Sequence, residues 1–252
     1  MHNMLDKSAI SIKYLLDCPA TKIYPGVEHI QHDLQLVLVV GCPRSGTTVL
    51  GNCLGKAHNA CTSEESLFLI NMRQTFSDLT LGANRRQYAP LSHYGLSSPQ
   101  VLRLIKQFSD QVFSTFLQTQ KKEVFVDHTP WYGLLLGFMV SLYPDAKVLH
   151  VLRNGDDVAA SLGASYRNGF AWAGETSEER KEFHRRFVAA VQEQSLLLGE
   201  RYHEVSYEAF CAQPEEVLQK LCDSLGLTYH PDVLAATKVP YASPSRPHIF
   251  SL

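Results

Sequence analysis

Short apolar runs alternate with longer amphipathic stretches along most of this chain. Leu34–Gly41 reads LQLVLVVG, a β-branched run closed by a glycine, and predicts a buried strand. A loop over Cys42–Thr48 leads into a helix from Thr47 to about Lys56. Glu123–Asp127, Ala146–Arg153 and Arg201–Ser206 predict three more short strands. Between them the pattern predicts helices over Leu67–Leu79, Pro99–Gln118 and Thr129 to about Leu142, the last with Pro130 near its start. Asn154 caps a helix to about Ser165, and Glu178–Gly199 forms a long one. Pro214–Leu225 is amphipathic and stopped by Gly226. In Pro99–Gln118, the residues Val101, Leu104, Ile105, Phe108, Val112 and Phe116 mark out an apolar face at helical spacing.

Alternating strand and helix imply α/β architecture: a central parallel sheet with helices on both faces, in one domain over residues 1–252. Residues 1–33 read as irregular, with Pro19, Pro25 and Gly26. The core is expected over 34–65 and 123–227, and 66–122 reads as an insert of the kind that walls and covers a binding site. Ligands in such sheets sit at the carboxyl ends of the strands.

Composition narrows the classes. The 252 residues are 45% hydrophobic and 19% charged, which excludes a disordered or fibrous chain. A formal charge of −2 argues against bulk nucleic-acid binding but leaves room for a local basic pocket. The longest apolar run near the N-terminus, Leu36–Val40, is too short to span a bilayer, and residues 1–20 carry Asp6, Lys7, Lys13 and Asp17 rather than a signal-peptide core. The expectation is a cytoplasmic protein. The six cysteines form no C-x-x-C pair and are expected reduced, and the eleven histidines share no ligand spacing, so no metal is expected.

The chemistry begins at Gly41-Cys42-Pro43-Arg44-Ser45-Gly46-Thr47-Thr48, between the first strand and its helix. The G-x4-G spacing is that of a phosphate loop, with Thr47 where the lysine would stand. Glycines let successive N–H groups point inward, and the helix N-terminus adds partial positive charge. Ser45, Thr47 and Thr48 supply hydroxyls, and Arg44 a fork for an anion. Downstream, Arg153 ends a strand and Ser161 lies eight residues later in the next helix. That spacing is roughly 12 Å of axial rise, short enough for both side chains to close on one phosphate.

The first segment closely resembles the 5′-phosphosulfate loop, P-[KR]-S-G-T-T, of sulfotransferases that use 3′-phosphoadenosine 5′-phosphosulfate (PAPS). The second resembles the family's 3′-phosphate motif, R-[ND]-x-x-D-x-x-x-S. Val205-Ser206-Tyr207-Glu208 is similar to a third family segment whose tyrosine contacts the adenine. The resemblance spans about Leu36 to Leu227 and implies the sulfotransferase fold, PAPS as co-substrate, PAP as product and no metal. It also implies transfer to a hydroxyl or amine. The chain ends SPSRPHIFSL, without the family's basic C-terminal loop, and Ser243, Ser245 and Arg246 stand where substitutes would be.

Two residues compete as the base for the acceptor. His128 lies just after a strand and two residues before Pro130, where cytosolic sulfotransferases carry their histidine. Glu65 is the second acid of Ser63-Glu64-Glu65-Ser66, where protein-tyrosine sulfotransferases carry a glutamate. The reading leans slightly to His128, whose ordinary pKa of about 6.5 suits a base at neutral pH. The acceptor is expected to be a small molecule, with Glu64, Glu65 and Asp127 pointing to a cationic one. Two other readings stand beside this one. A nucleotide-dependent kinase would want the missing lysine and a second acidic strand for magnesium, read here as absent. A catalytically inactive nucleotide-binding module would keep the loop without a base.

Overall fold

A computed structural model describes residues 23–24, 34–81 and 91–238. Its centre is strand β1, Gln35–Val40, fully interior from Leu36 onward. Strands β2 (Ala60–Thr62), β3 (Val124–Asp127), β4 (Lys147–Leu152) and β5 (Tyr202–Ser206) complete a five-stranded sheet in the order β2-β3-β1-β4-β5. Every adjacent pair is parallel. The register pairs Leu38 with Asp127, Val40 with His150 and Leu152 with Ser206. The carboxyl ends of all five strands therefore open on one edge.

Side-chain alternation along β1 divides the core in two. Val37 and Val39 face helices α1 (Thr47–Leu54), α7 (Tyr207–Ala212), α8 (Pro214–Leu225) and α9 (Pro231–Ala235). Leu36, Leu38 and Val40 face α2 (Phe68–Leu81), α3 (Ser98–Gln120), α4 (Leu136–Leu142), α5 (Gly155–Arg167) and α6 (Ser177–Ser195). Helix α8 buries Leu218, Leu221, Cys222 and Leu225 on one stripe and stops at Gly226, whose φ of 74° closes the turn. Each fully buried aliphatic side chain of this kind stabilises the fold by about 1.5–3 kcal/mol.

Several expectations change. The segment after Thr129 begins as a 3-10 turn over Pro130–Leu135, and only Leu136–Leu142 is α-helical. Within it Gly133 faces Val191 of α6, where an added Cβ would lie 2.7 Å from a methyl group. The long sixth helix ends at Ser195, and a separate 3-10 turn covers Gly199–Arg201. Helix α3 is longer than expected at both ends, opened by a Ser97/Gln100 capping box. Its buried stripe is Val101, Ile105, Phe113 and Leu117, while Leu104, Phe108 and Val112 stay exposed at 50%, 56% and 39%. In their place α3 buries an ion pair, Lys106 to Asp110 at 2.8 Å, with the ammonium 4.8 Å from the Tyr143 ring centre. Among the described residues no helix is long and apolar enough to cross a membrane.

Candidate active site

The loop leaving β1 is shaped by close contacts at two glycines. A side chain at Gly41 would begin 2.6 Å from the Val151 carbonyl of the neighbouring strand. One at Gly46 would run into the Tyr207 ring, and Gly46 also has a φ of 102°. Between them Arg44 adopts φ 76°, a left-handed conformation uncommon for a side-chain-bearing residue. Ser45 N–H donates to the Cys42 carbonyl at 3.0 Å, closing the turn. Gly46 caps α1 without a side-chain acceptor, and the first turn of α1 holds no acid. Its terminal N–H groups are thus left for an anion. Ser45 is 1% exposed, and its hydroxyl has no partner within the protein. A buried hydroxyl without a partner costs stability, and an anion seated in the loop would satisfy it.

The second motif folds onto this loop. Arg153 follows β4 directly and donates through its guanidinium to the Arg44 carbonyl at 3.1 Å, across 109 positions of sequence. Its guanidinium carbon lies 4.6 Å from the centre of the Tyr207 ring. Arg44 Nε donates to Ser161 Oγ at 3.1 Å. Asn154 caps α5, accepting from the N–H groups of Asp156 and Asp157 at 2.9 and 3.3 Å. Asp156 itself points outward to Lys181 at 2.6 Å. Tyr207 opens α7, and it is the surface on which Arg153 and Gly46 meet. Arg44, Ser45, Gly46, Thr47, Thr48, Arg153, Ser161 and Tyr207 thus belong to one edge of the sheet. Ser243, Ser245 and Arg246 lie outside the described residues.

The two candidate bases differ in setting. Glu65 follows β2 and accepts from the Thr48 hydroxyl at 3.4 Å. Its side chain is open to solvent by surface area, yet the protein mass around the carboxyl raises its pKa to about 7. Thr48 and Arg44 oppose the shift, and Asp127 and Glu64 add to it.

His128 is 2% exposed. The Thr62 hydroxyl donates to the Val126 carbonyl at 2.7 Å and stands 3.1 Å from His128 Nδ1, so the network assigns the imidazole proton to Nδ1. Burial pushes its pKa down to about 4, so the ring is neutral at pH 7. It packs flat on Gly51 of α1, where a Cβ would lie 2.6 Å from the imidazole Cγ. Nε2 has no protein partner. Asp127, 3% exposed, accepts from the Thr129 N–H at 2.9 Å, and burial raises its pKa to about 6.

The model of the sulfotransferase family matches residues 36–231. The chain belongs to the sulfotransferase family. Members of this family are enzymes that transfer sulfonate groups. The chain is 30% identical over 135 residues to nodulation protein NoeE of Sinorhizobium fredii, a match covering 52% of this chain and 32% of that one. It is 25% identical over 220 residues to a protein of Aquifex aeolicus, covering 79% of this chain and 26% of the relative. It therefore spans about a third and a quarter of the lengths of these relatives. Two solved sulfotransferase domains share the fold. One, from the curacin biosynthetic pathway, superposes with TM-score 0.54 at 20% identity, over 81% of this chain and 77% of its own. The other, from the Synechococcus PCC 7002 olefin synthase, gives 0.53 at 21% identity, over 86% and 82%.

β3 reads VFVD and ends on Asp127 beside the phosphate-loop strand, so an acidic strand is present. It accepts from the Thr129 N–H and burial raises its pKa to about 6, and among the described residues no group of three or more metal-binding side chains is found. The absent lysine remains the argument against a kinase. Sequence reasoning also passed over Thr62, because three-residue β2 is too short to show a period.

Proposed function

We propose that this sulfotransferase-family chain moves the sulfonate of PAPS to a hydroxyl or amine of a small-molecule acceptor and releases PAP. The observation that supports the reading is the closure of Arg153 and Ser161 on Arg44, at 3.1 Å each, which brings the two sequence motifs together at the carboxyl ends of the strands. The 5′-phosphosulfate belongs on residues 44–48 and the 3′-phosphate on Arg153 and Ser161, with Tyr207 beside the adenine. The unpaired Ser45 hydroxyl and the acid-free start of α1 fit that use. Arginine stays protonated, so Arg44 serves by stabilising charge on the sulfonate and the bridging oxygen.

The transfer is written in line. The acceptor oxygen or nitrogen forms a bond to sulfur as the bond from sulfur to the phosphate oxygen breaks. The acceptor's proton passes to a base, and PAP leaves with the electron pair. We assign that base to Glu65, reversing the lean to His128. Glu65 is bonded to the phosphate loop through Thr48 and has a pKa of about 7, whereas His128 is enclosed and holds its proton poorly. Residues 66–122 would wall the acceptor side, and Glu64, Glu65 and Asp127 favour an acceptor carrying positive charge.

Calorimetry with PAP on the wild-type chain and Arg153→Ala tests the nucleotide site. Loss of a charge-assisted hydrogen bond should weaken PAP by about 1.5–3 kcal/mol. Unchanged affinity removes the assignment. Stabilisation by ATP with magnesium but not by PAP would favour the kinase reading.

A further inference from the structure

We infer that Glu208 and His184 are positioning residues that grip the Arg153–Asn154 peptide from its two sides and thereby set the aim of the Arg153 guanidinium. The inference rests on the assignment of Arg153 to the 3′-phosphate. Glu208 Oε1 accepts from the Asn154 N–H at 2.8 Å. Its other oxygen accepts from the Ser206 hydroxyl at 2.7 Å, and the same hydroxyl accepts from the Ala209 N–H at 3.2 Å. Glu208 is thus locked into the start of α7, one residue after the ring on which Arg153 rests. His184 comes from α6 and stands against the backbone of the same Arg153–Gly155 turn. Its ring lies flush on Gly155, with Nδ1 3.0 Å from where a Cβ would stand. Lys181, one turn earlier on α6, pairs with Asp156 and holds the same helix start.

The peptide unit that carries Arg153 therefore has its N–H held by Glu208 of α7 and is backed by the His184 ring of α6. Arg153 in turn donates to the carbonyl of Arg44. A carboxylate beside an anion site opposes the anion by charge alone. Any net gain from Glu208 has to come through geometry, and this separates positioning from electrostatics in an experiment. If charge dominated, Glu208→Gln would tighten PAP and Glu208→Ala would do so too. If position dominates, glutamine keeps an amide oxygen able to accept from Asn154 N–H, while alanine releases the turn.

The test measures dissociation constants of PAP and of adenosine 5′-monophosphate, which lacks the 3′-phosphate, for the full chain. Glu208→Ala should weaken PAP by about tenfold, the size of a lost hydrogen bond to a charged group, and leave the monophosphate unchanged. Glu208→Gln should keep PAP within about threefold of wild type. His184→Ala reaches the same peptide from the other helix and should show the same selective loss, so the test survives if one variant folds poorly. Monophosphate binding reports that each variant is folded. Equal weakening of both ligands, or tighter PAP binding by Glu208→Ala, overturns the inference. Arg153→Ala separates the levels. If it abolishes the preference for PAP while Glu208→Ala and His184→Ala retain it, the positioning role fails and the nucleotide site stands. If Arg153→Ala itself keeps the preference, the site assignment fails and the inference with it.

Discussion

Thr48 donates its hydroxyl to Glu65 at 3.4 Å, so the side chain proposed as base is tied to the loop proposed to hold the sulfonate. A base must lie within hydrogen-bond reach of the proton it takes, or one water away. Glu65→Gln should lower turnover by about 100- to 10,000-fold, the usual range for a lost general base. His128→Asn should stay within about tenfold of wild type, because its ring is enclosed between α1, β2 and β3. Steady-state kinetics of the two variants decide the matter, and a reversed order returns the role to His128.

The same carboxyl sets a pH dependence. Glu65 has its pKa raised to about 7, mainly by desolvation. The base form exists above that value, so kcat/KM should rise through pH 7 and level off above it. Glu65→Gln should lose that limb. Stability runs the opposite way. A carboxyl whose folded pKa lies above its unfolded value of about 4.3 binds more protons when folded, so its contribution falls as pH rises through that window. Melting curves should show Glu65→Gln gaining on wild type between pH 5 and pH 8, as a direction without a set magnitude because the group is solvent-reached.

Arg44 combines a left-handed backbone with a functional side chain. Glycine accepts φ 76° freely and alanine does not. Arg44→Gly should therefore be more stable than Arg44→Ala by about 1 kcal/mol. Both should lose turnover by a larger factor than they lose PAP affinity, since a group acting in the transition state lowers kcat. Parallel losses in rate and affinity would reduce Arg44 to a docking contact.

Much of this was legible in the sequence, and the reasons differ by element. The LQLVLVVG run and the glycine-bounded loop carry strong local signals, so β1 and the start of α1 fall where expected. Arg153 and Ser161 were readable as a pair because their spacing is short and their types are specific. Strand β2 and helices α7 and α9 were not, being three, six and five residues long. The buried face of α3 was misjudged because it contains Lys106, Ser109 and Asp110, which a hydropathy pattern assigns to solvent. The contrast between Glu65 and His128 was beyond a pattern reading. It depends on Thr62 and Gly51 enclosing one ring while Thr48 leaves the other side chain at the cleft.

Gly51 offers a separate check on that enclosure. Alanine is worth up to about 1 kcal/mol over glycine inside a helix, so Gly51→Ala would be stabilising if space allowed. Here the new methyl meets His128 Cβ and, at 2.6 Å, its Cγ. Overpacking of this kind costs about 1–3 kcal/mol. Gly51→Ala should lower the melting temperature, and adding His128→Ala should recover part of the loss. Additive effects in a double-mutant cycle by thermal or urea unfolding would show that the ring and the helix do not press on each other.

The strand order β2-β3-β1-β4-β5 has a further consequence for how such a chain can change its use. Connections leaving β1, β4 and β5 supply the nucleotide contacts argued above, while those leaving β2 and β3 supply Glu65, Asp127 and the walls beyond them. Under the proposed function, donor and acceptor duties fall on opposite halves of one sheet and meet over the central strand. Grafting a relative's segment 63–122 onto this scaffold would then exchange the connection that leaves β2, Glu65 included, while the other half keeps its original handle, in the manner of an interchangeable jaw on a common grip.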